Sequence, residues 1–404
     1  MSLLHNLKDE NYWEQFLQSK IESGHFTSRE EKEFRDFIDN KKYLPIVEKI
    51  LSNESFALPK MVEINKRRTG KKRTVFIFNH EENMVLKLLA HLLHDYDYLF
   101  SDNLYSFRKN ISVKTAIGTL LSSIKKSSLY SYKVDIHDYF NSVDTDSIIK
   151  LLEETFEEDI ELLNFIKSIL LEPYCLKNGK QTFFKKGIMA GVPISGFLAN
   201  LYLTDLDKWF ALRGISYARY SDDIIVFAKT EKDIKEYEEK IKWFLSQKKL
   251  TVNPKKEVRT LPGEKWEFLG FNIDGNRVDV SNVALEKIRG KMRRKARAIL
   301  RWRNRNNANV KGTIRAYIRH FNKKFYDNPN PNDLTWCRWY FPTITTAESL
   351  QALDEYMISC IRYIATGKHT KANYNLRYDD IKKLGYKSLV NSFYKFKKTG
   401  NFDF

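Results

Sequence analysis

Apolar residues in the first 58 positions recur at helical spacing: Leu3, Leu4 and Leu7, then Trp13, Phe16 and Leu17, then Phe34, Phe37 and Ile38. Steps of three and four residues place such side chains on one helix face, and Ser28 followed by Glu31 is a capping-box pair. Pro59 closes this helical extension. Beyond it the pattern turns to short extended runs, MVEIN and TVFIF, on either side of the basic turn KRRTGKKR, which predicts a hairpin around Thr69-Gly70. Residues 80–98 return to helical spacing. His91 and His94 stand one turn apart there, but with no third ligand in view they are read as ordinary helix residues. LYSYKVDIHDYF is extended, and a helix from Asp146 carries an acidic run over 153–161 that reads as a solvated face. A second extended pair surrounds Asn178-Gly179. A helix opening near Pro193 runs through SGFLANLYLTDLDKWF, and two β-type runs, ISYARY and IIVFAK, flank two aspartates. A charged helix over 231–248 precedes the strand-like LTVN and EFLGFNI, and from Ser281 the chain reads as helical. Strands interleaved with helices, followed by a helical tail, predict an α+β core with a helical C-terminal lobe.

Composition narrows the class. With 404 residues the chain is long enough for two or three lobes, and 42% hydrophobic residues with 14% aromatics exclude a disordered chain. A charged fraction of 30%, with only 16 Gly and 9 Pro, excludes collagen-like and low-complexity architectures. No apolar run approaches the roughly 18–20 residues that span a bilayer. The N-terminal MSLLHNLKDENYWEQF lacks the basic flank and apolar stretch of a secretory signal. Three scattered cysteines, Cys175, Cys337 and Cys360, lack metal-type spacing, so a reducing, cytoplasmic setting is expected. The 69 Lys and Arg outnumber the 51 Asp and Glu by 18, which calls for a polyanionic partner. Nucleic acid leads, with an anionic membrane surface a distant second.

The candidate chemistry is acidic. In ARYSDDIIVFA, Asp222 and Asp223 lie between two β-prone runs. An Asp pair at a hairpin tip also suits a plain solvated turn. The unbroken IIVF after it, however, reads as a strand buried on both faces. Asp135 ends another apolar strand, in YKVDIHDYFNSV, and Asp138, Tyr139 and Phe140 follow. Carboxylates converging from such strands suit a pair of hard divalent ions, which clamp the attacking and leaving oxygens of an in-line phosphoryl transfer. No Cys/His set competes, so Mg²⁺ or Mn²⁺ is expected rather than zinc. His137 in the same segment is read as a packing residue.

Seven segments in order, over residues 60 to 275, resemble bacterial reverse transcriptases of the group II intron and retron types. Tyr220-Ser221-Asp222-Asp223 resembles their YxDD box, and DIHDYF from Asp135 their first palm motif. GIMAGVPISGFLANLYL resembles the glycine-containing lead into the palm helix, LTVNPKK the lysine motif, and FLGF the primer grip. GKKRTVFIF and NLYSFR are similar to the fingers motifs. The family usually has Pro-Gln before the glycine where this chain has Met189-Ala190 before Gly191, and Ser-Pro is common where it has Ser195-Gly196. The glutamine touches the nascent base pair in relatives, so template handling is the property this departure bears on.

The resemblance implies a right-hand polymerase and a role for each matching residue. Asp135, Asp222 and Asp223 become metal ligands. Lys72 and Arg73 match the fingers cations that grip the incoming dNTP, where a guanidinium donates two parallel bonds to phosphate; a solvated basic turn is the plainer alternative. Phe140, five residues after Asp135, becomes the ring under the sugar that collides with a 2′-hydroxyl, or else a core aromatic. Lys256, with Lys255 as the alternative, becomes the proton donor to pyrophosphate. Gly191 permits close backbone approach to substrate or serves as a turn glycine. Arg108, in the second fingers motif, is expected to contact nucleic acid.

The surplus charge gathers in the tail. Residues 287–324 hold 15 Lys and Arg and no acid, interleaved with Trp302, Tyr317 and Phe321. This suits a basic helical thumb along a phosphate backbone, with Arg293, Arg294, Arg297 and Arg301 as candidate contacts and the aromatics in its core. The expected division is a helical extension over 1–58, fingers and palm over 59–275, and thumb over 276–404. TGKHTKANYNLRYDDIKKLGYKSLV resembles the C-terminal region of phage-defence reverse transcriptases of the "unknown group". It implies a non-coding RNA encoded nearby as template and scaffold, with a DNA product. The competing readings are an untemplated or protein-primed DNA polymerase, and an RNA-binding effector with a vestigial site.

Overall fold

A computed structural model of the chain describes residues 2–22, 28–65, 72–109, 111–124, 129–184, 187–326, 335–368 and 375–402. By internal contacts the chain divides into two compact units, one of Met1–Glu22 with Arg29–Pro262 and one centred on Gly263–Phe404. The division runs at Pro262/Gly263, and the helices of the first 58 residues belong to the same unit as the strands that follow them. Among the described residues no helix is long and apolar enough to cross a membrane.

In the first unit a 3-10 turn (Leu3–Lys8) leads into α1 (Glu10–Glu22), α2 (Ser28–Asp39) and α3 (Leu44–Leu51). Their apolar stripes meet where the spacing predicts. Trp13 lies 5.0 Å from Tyr43 and 5.5 Å from Phe37 between ring centres, and Phe16 lies 5.6 Å from Phe34. β1 (Lys60–Asn65) and β2 (Lys72–Ile77) pair antiparallel, Asn65 opposite Lys72. The basic turn between them lies outside the described residues. α4 (His80–Leu92) and α5 (Val113–Ile124) follow, then β3 (Tyr130–Asp135), α6 (Tyr139–Ser142), α7 (Thr145–Thr155) and α8 (Ile160–Leu171). β4 (Tyr174–Lys177) and β5 (Lys180–Phe183) form the hairpin expected at Asn178-Gly179, with φ of 51° and 79° at the turn. Two positive φ values suit the right-handed twist of a two-residue hairpin. β1 and β4 run parallel, giving a sheet in the order β2-β1-β4-β5.

The palm helix is broken into α9 (Ser195–Tyr202) and α10 (Thr204–Ala211), followed by β6 (Tyr217–Tyr220), β7 (Asp223–Ala228), α11 (Glu231–Gln247) and β8 (Val258–Thr260). The second sheet has the order β6-β7-β3-β8. Residues 224–228 of β7 are buried throughout, as an unbroken apolar run predicts for a central strand. LTVN departs from expectation: of it, only Val252 bridges to Ile136, and a short 3-10 turn (Pro254–Lys256) follows.

The second unit begins with β9 (Trp266–Phe268), β10 (Phe271–Asp274) and β11 (Arg277–Val280) in the order β11-β10-β9. EFLGFNI, expected as one strand, is therefore a hairpin that reverses at Leu269-Gly270, where φ is 51° and 86°. α12 (Asn282–Asn306) is capped by Ser281, whose side chain accepts the Ala284 N–H. α13 (Val310–Phe325), α14 (Trp336–Tyr340), α15 (Glu348–Thr366), α16 (Tyr378–Lys383) and α17 (Leu389–Thr399) complete it. Tyr317 and Phe321 are fully buried, whereas Trp302, expected in the core with them, is largely exposed. Strands interleaved with helices, then a helical C-terminal region, make the class α+β.

Candidate active site

β3 and β7 run antiparallel in a register that sets Asp135 directly opposite Asp223. The β6–β7 hairpin turns through Ser221 and Asp222, with Tyr220 opposite Asp223. Ser221 takes φ of 59° at this turn. The tip is tied down from both sides: the Ile136 N–H donates to the Asp222 carbonyl at 2.9 Å, and the Ser221 N–H donates to Ser106 Oγ at 2.8 Å. Asp135 and the distant Asp222-Asp223 pair are thus gathered by one strand pairing and one two-residue turn.

Beneath the tip lies a polar network that the sequence reading missed. Arg219, in the middle of β6, and Asp207, on α10, are both wholly buried. Arg219 Nε donates to both Asp207 oxygens, at 2.9 and 3.1 Å, and the Tyr217 hydroxyl donates to Oδ1 at 2.9 Å. A second Arg219 nitrogen donates to the Asn200 carbonyl at 3.2 Å, and Asn200 Nδ2 donates to the Ser106 carbonyl at 2.7 Å. The chain runs Asp207–Arg219–Asn200–Ser106–Ser221, ending one residue from Asp222. Desolvation and the Asp207 charge push the Tyr217 hydroxyl well above its ordinary value, so it remains a donor. An arginine inside the apolar strand YARY is the signal that could have revealed this network, because a charge is buried there only with a partner.

The opposite border of the aspartates comes from LTVNPKK. The Asn253 N–H donates to the Asp135 carbonyl at 2.8 Å, and Asn253 Nδ2 to Asp135 Oδ1 at 3.3 Å. Lys256, not Lys255, then reaches Asp135, its Nζ donating to Oδ2. Partial burial pulls the Lys256 pKa down, but the bond to Asp135 and the charges of Asp135, Asp223 and Asp222 outweigh it, so the net direction is up. Asp222 is pushed up to about 6, by burial first and then by the like charges of Asp223 and Asp135. Among the described residues no three His, Cys, Asp or Glu side chains stand as a ready metal cage. The donors nonetheless suit a hard divalent ion: they are all carboxylate oxygens, and their mutual repulsion is what a cation relieves.

Phe140, five residues after Asp135, is half-buried, its ring edge-on to Phe107 at 6.1 Å and to Tyr139 at 5.8 Å. Its carbonyl accepts the Ile188 N–H at 2.9 Å. Gly187 fits so closely there that a Cβ on it would stand 2.4 Å from that carbonyl oxygen. Gly191, at φ of 102°, is a close-approach glycine: a Cβ would meet the Phe76 carbonyl oxygen at 2.9 Å and Val75 Cβ at 3.3 Å. Phe76 N–H also donates to the Ala190 carbonyl at 2.8 Å, which binds the loop to β2. Met189 and Ala190 are buried in that loop. The departure at Gly196 has a counterpart too, since the Phe107 ring occupies the space a larger residue would need.

The remaining candidates separate. Alternation along β2 puts Lys72 and Arg73 on opposite faces. Lys72 pairs with Glu63 at 2.6 Å, while Arg73 is exposed on the face that carries Val75 and hence Gly191. Arg108 is tied into the fold: its guanidinium donates to the carbonyls of Ser101 at 2.9 Å and of Asp97 at 3.4 Å. Arg293, Arg294, Arg297 and Arg301 are all exposed on α12. At ~100° per residue, Lys287, Lys291, Arg294, Arg301 and Arg305 fall along one stripe, Arg297 borders it, and Arg293 lies about a third of a turn away. His91, in the pair set aside as a metal site, packs 5.3 Å from Phe16.

The pattern of the reverse transcriptase (RNA-dependent DNA polymerase) family matches residues 64–273. The retron Ec83 reverse transcriptase of Escherichia coli is 28% identical over 120 residues, 28% of this chain and 36% of that protein. The retron Ec86 reverse transcriptase of Escherichia coli is 24% identical over 163 residues, 39% of this chain and 47% of that protein. The chain thus spans between about a third and a half of the length of these curated relatives. A solved structure of apo telomerase from Candida Tropicalis covers 85% of this chain and 59% of its own at 16% identity, with a TM-score of 0.48. The strands and helices observed are of the α+β class expected of a right-hand polymerase. With the family pattern running over more than half of the 404 residues and enclosing Asp135, Asp222 and Asp223, this chain belongs to the reverse transcriptase (RNA-dependent DNA polymerase) family.

Proposed function

We propose that the protein is an RNA-directed DNA polymerase that extends a primer 3′-hydroxyl with dNTPs on an RNA template. The observation that carries this reading is the register of Asp135 against Asp223, with Asp222 at the adjoining hairpin tip and Lys256 bonded to Asp135. Asp135, Asp222 and Asp223 would hold two divalent ions, Mg²⁺ or Mn²⁺, which when bound supply charge neutralisation at the transferred phosphoryl group. The 3′-hydroxyl gives up its proton to solvent as its oxygen attacks the α-phosphorus in line, and the bond to pyrophosphate breaks. Lys256, kept charged by the aspartates, holds a proton for the departing pyrophosphate. Arg73 projects from the face of β2 that carries Val75 and neutralises the triphosphate, while Phe140 lies under the sugar and excludes a 2′-hydroxyl.

The exposed cations of α12 support an RNA or RNA–DNA duplex as partner, because their spacing along one helix stripe matches a polyanion rather than a point charge. A non-coding RNA encoded nearby as template, and a role in phage defence, rest on the resemblance of residues 366–390 to defence-associated reverse transcriptases. A bacterial cytoplasmic setting is supported by Cys175, Cys337 and Cys360, all buried and none in a disulfide. One observation favours a second reading. Met189-Ala190 fill the loop with buried apolar side chains where a template-reading glutamine is usual, which favours untemplated or protein-primed synthesis.

The deciding experiment uses full-length protein purified with its bound RNA. Wild type should incorporate dNTPs in Mg²⁺ and stop with a chelator, and Asp222→Ala with Asp223→Ala should reduce incorporation to background. A folded double variant that still polymerises overturns the assignment. If biological activity survives the double change while polymerisation does not, the vestigial-effector reading holds instead. Product sequences complementary to the bound RNA support templated synthesis, and unrelated sequences or DNA joined to protein support the second reading.

A further inference from the structure

Phe107 combines three features that ordinary packing leaves unexplained. Its backbone takes φ of 51°, a region that a bulky residue enters at a cost in free energy. Its ring is about half exposed, 48% by area, although Leu104, Tyr105 and Ser106 just before it are buried. The ring also packs closely against Gly196 of α9: a Cβ there would stand 2.7 Å from Cγ and 2.8 Å from Cδ1 of Phe107. The chain is thus held in a costly conformation by its buried neighbours, and the ring it presents sits on a site with no side chain.

That ring meets Phe140 at 6.1 Å between centres and 81° between planes, an edge-to-face contact. The backbone of Phe140 is fixed by Ile188 and crowded by Gly187. Its side chain is held differently. One ring neighbour, Tyr139 at 5.8 Å, is anchored by its own hydroxyl, which donates to the Ala199 carbonyl at 2.5 Å. Phe107 is another. A single ring excludes a 2′-hydroxyl only while it cannot swing away, because rotation about χ1 costs little when no contact is lost.

We propose that Phe107, seated on Gly196, is a positioning residue for Phe140, so that discrimination against ribonucleotides belongs to the pair of rings and not to Phe140 alone. This rests on the polymerase reading, in which Phe140 faces the sugar. Phe107 touches neither aspartate nor phosphate in this account. It sets the probability that the Phe140 ring stands upright when a nucleotide enters.

The test is single-nucleotide insertion by full-length protein on a primed RNA template, comparing dGTP with GTP opposite cytosine. The readout is the ratio of the two kcat/KM values, which a loss of general packing leaves unchanged because both substrates suffer alike. Phe107→Ala should lower the ratio roughly tenfold, the scale set by an aromatic edge-to-face contact. Gly196→Ala keeps the aromatic but pushes it off its seat, and should shift the ratio in the same direction. Phe107→Leu serves if Phe107→Ala does not fold. Phe140→Ala should lower the ratio further, and Phe107→Ala should then add nothing to it. An unchanged ratio in active Phe107 and Gly196 variants overturns the proposal, as does an additive double variant. Equal losses for dGTP and GTP would assign Phe107 to packing or to base stacking instead. If wild type inserts neither nucleotide, the polymerase reading itself fails, a result distinct from any of these.

Discussion

Arg219 and Arg294 carry the same guanidinium in opposite surroundings. Arg219 has no solvent exposure; its donors go to Asp207, to the Asn200 carbonyl and to the Ser221 carbonyl, and the chain it starts ends beside Asp222. Arg294 is exposed on α12 in a row of like charges. On the proposed function, the difference follows from what each region would have to hold. Carboxylates that gather metal ions must stay within a fraction of an ångström, and a fully satisfied buried network supplies that rigidity because every displaced atom loses a bond it cannot replace. Cations that follow a polymer need reach and solvent, and in water each pairs weakly and reversibly.

The largest effect should come from breaking the buried side of this contrast. Arg219→Leu leaves Asp207 as an unpaired charge in the interior and should cost about 3–5 kcal/mol of stability, whereas Arg294→Leu should stay within about 0.5 kcal/mol. Thermal or urea denaturation of the two purified variants measures both. A loss below about 1 kcal/mol for Arg219→Leu would mean that water reaches Asp207 and that the network is softer than the bond distances imply.

The acids of the site were more legible in the sequence than the network behind them. Acids in otherwise apolar strands are conspicuous, so Asp135, Asp222 and Asp223 could be picked out and their convergence foreseen from two strand-like runs. Arg219 and Asp207 are just as unusual in their surroundings. Their partnership, however, depends on how α10 turns onto β6, and a linear pattern does not carry that information. Arg108 shows the same limit from the other direction: nothing in a linear pattern tells that this cation also holds the carbonyls of Ser101 and Asp97. The EFLGFNI hairpin was hidden because Leu269 enters the left-handed region, which non-glycine residues rarely do. Phe107 was hidden for the same reason.

Two smaller effects test whether exposed cations differ among themselves. On β2, Arg73→Ala should raise the KM for dNTPs about tenfold, the worth of one charge-assisted contact to phosphate, while Lys72→Ala, on the Glu63 face, should change it less than about twofold. Steady-state kinetics on a primed template checks both, and the reverse order would place the triphosphate on the other face of the strand. On α12, Arg294→Ala and Arg301→Ala should each weaken RNA–DNA binding a few-fold and reduce the slope of log K against log salt by about 0.7–0.9. Arg293→Ala, off the stripe, should leave that slope alone. Equal slopes for all three would mean that the duplex is not read along one helix face.

The last effect sharpens the contrast within a single helical turn. His91 is half-buried against Phe16, and its pKa is lowered to about 4, by desolvation first and then by the charges of His94, Lys20 and Lys109. His94 instead lies 3.3 Å from the Asp97 carboxylate. The sign for His91 follows from the direction of its shift. Below pH about 6.5 the unfolded chain binds a proton at this position and the folded chain does not, so unfolding takes up a proton and acid favours it. The contribution is fully present above pH 6.5 and is lost as pH falls toward 4. Its partial exposure reduces the effect to about 1 kcal/mol. Urea denaturation at pH 7.5 and pH 5 should therefore show wild type losing about 1 kcal/mol more than His91→Gln, which has nothing to titrate. A larger acid loss in the variant would show that His91 carries its charge in the fold, and with it that this face of α4 is open to water rather than sealed by the N-terminal helices.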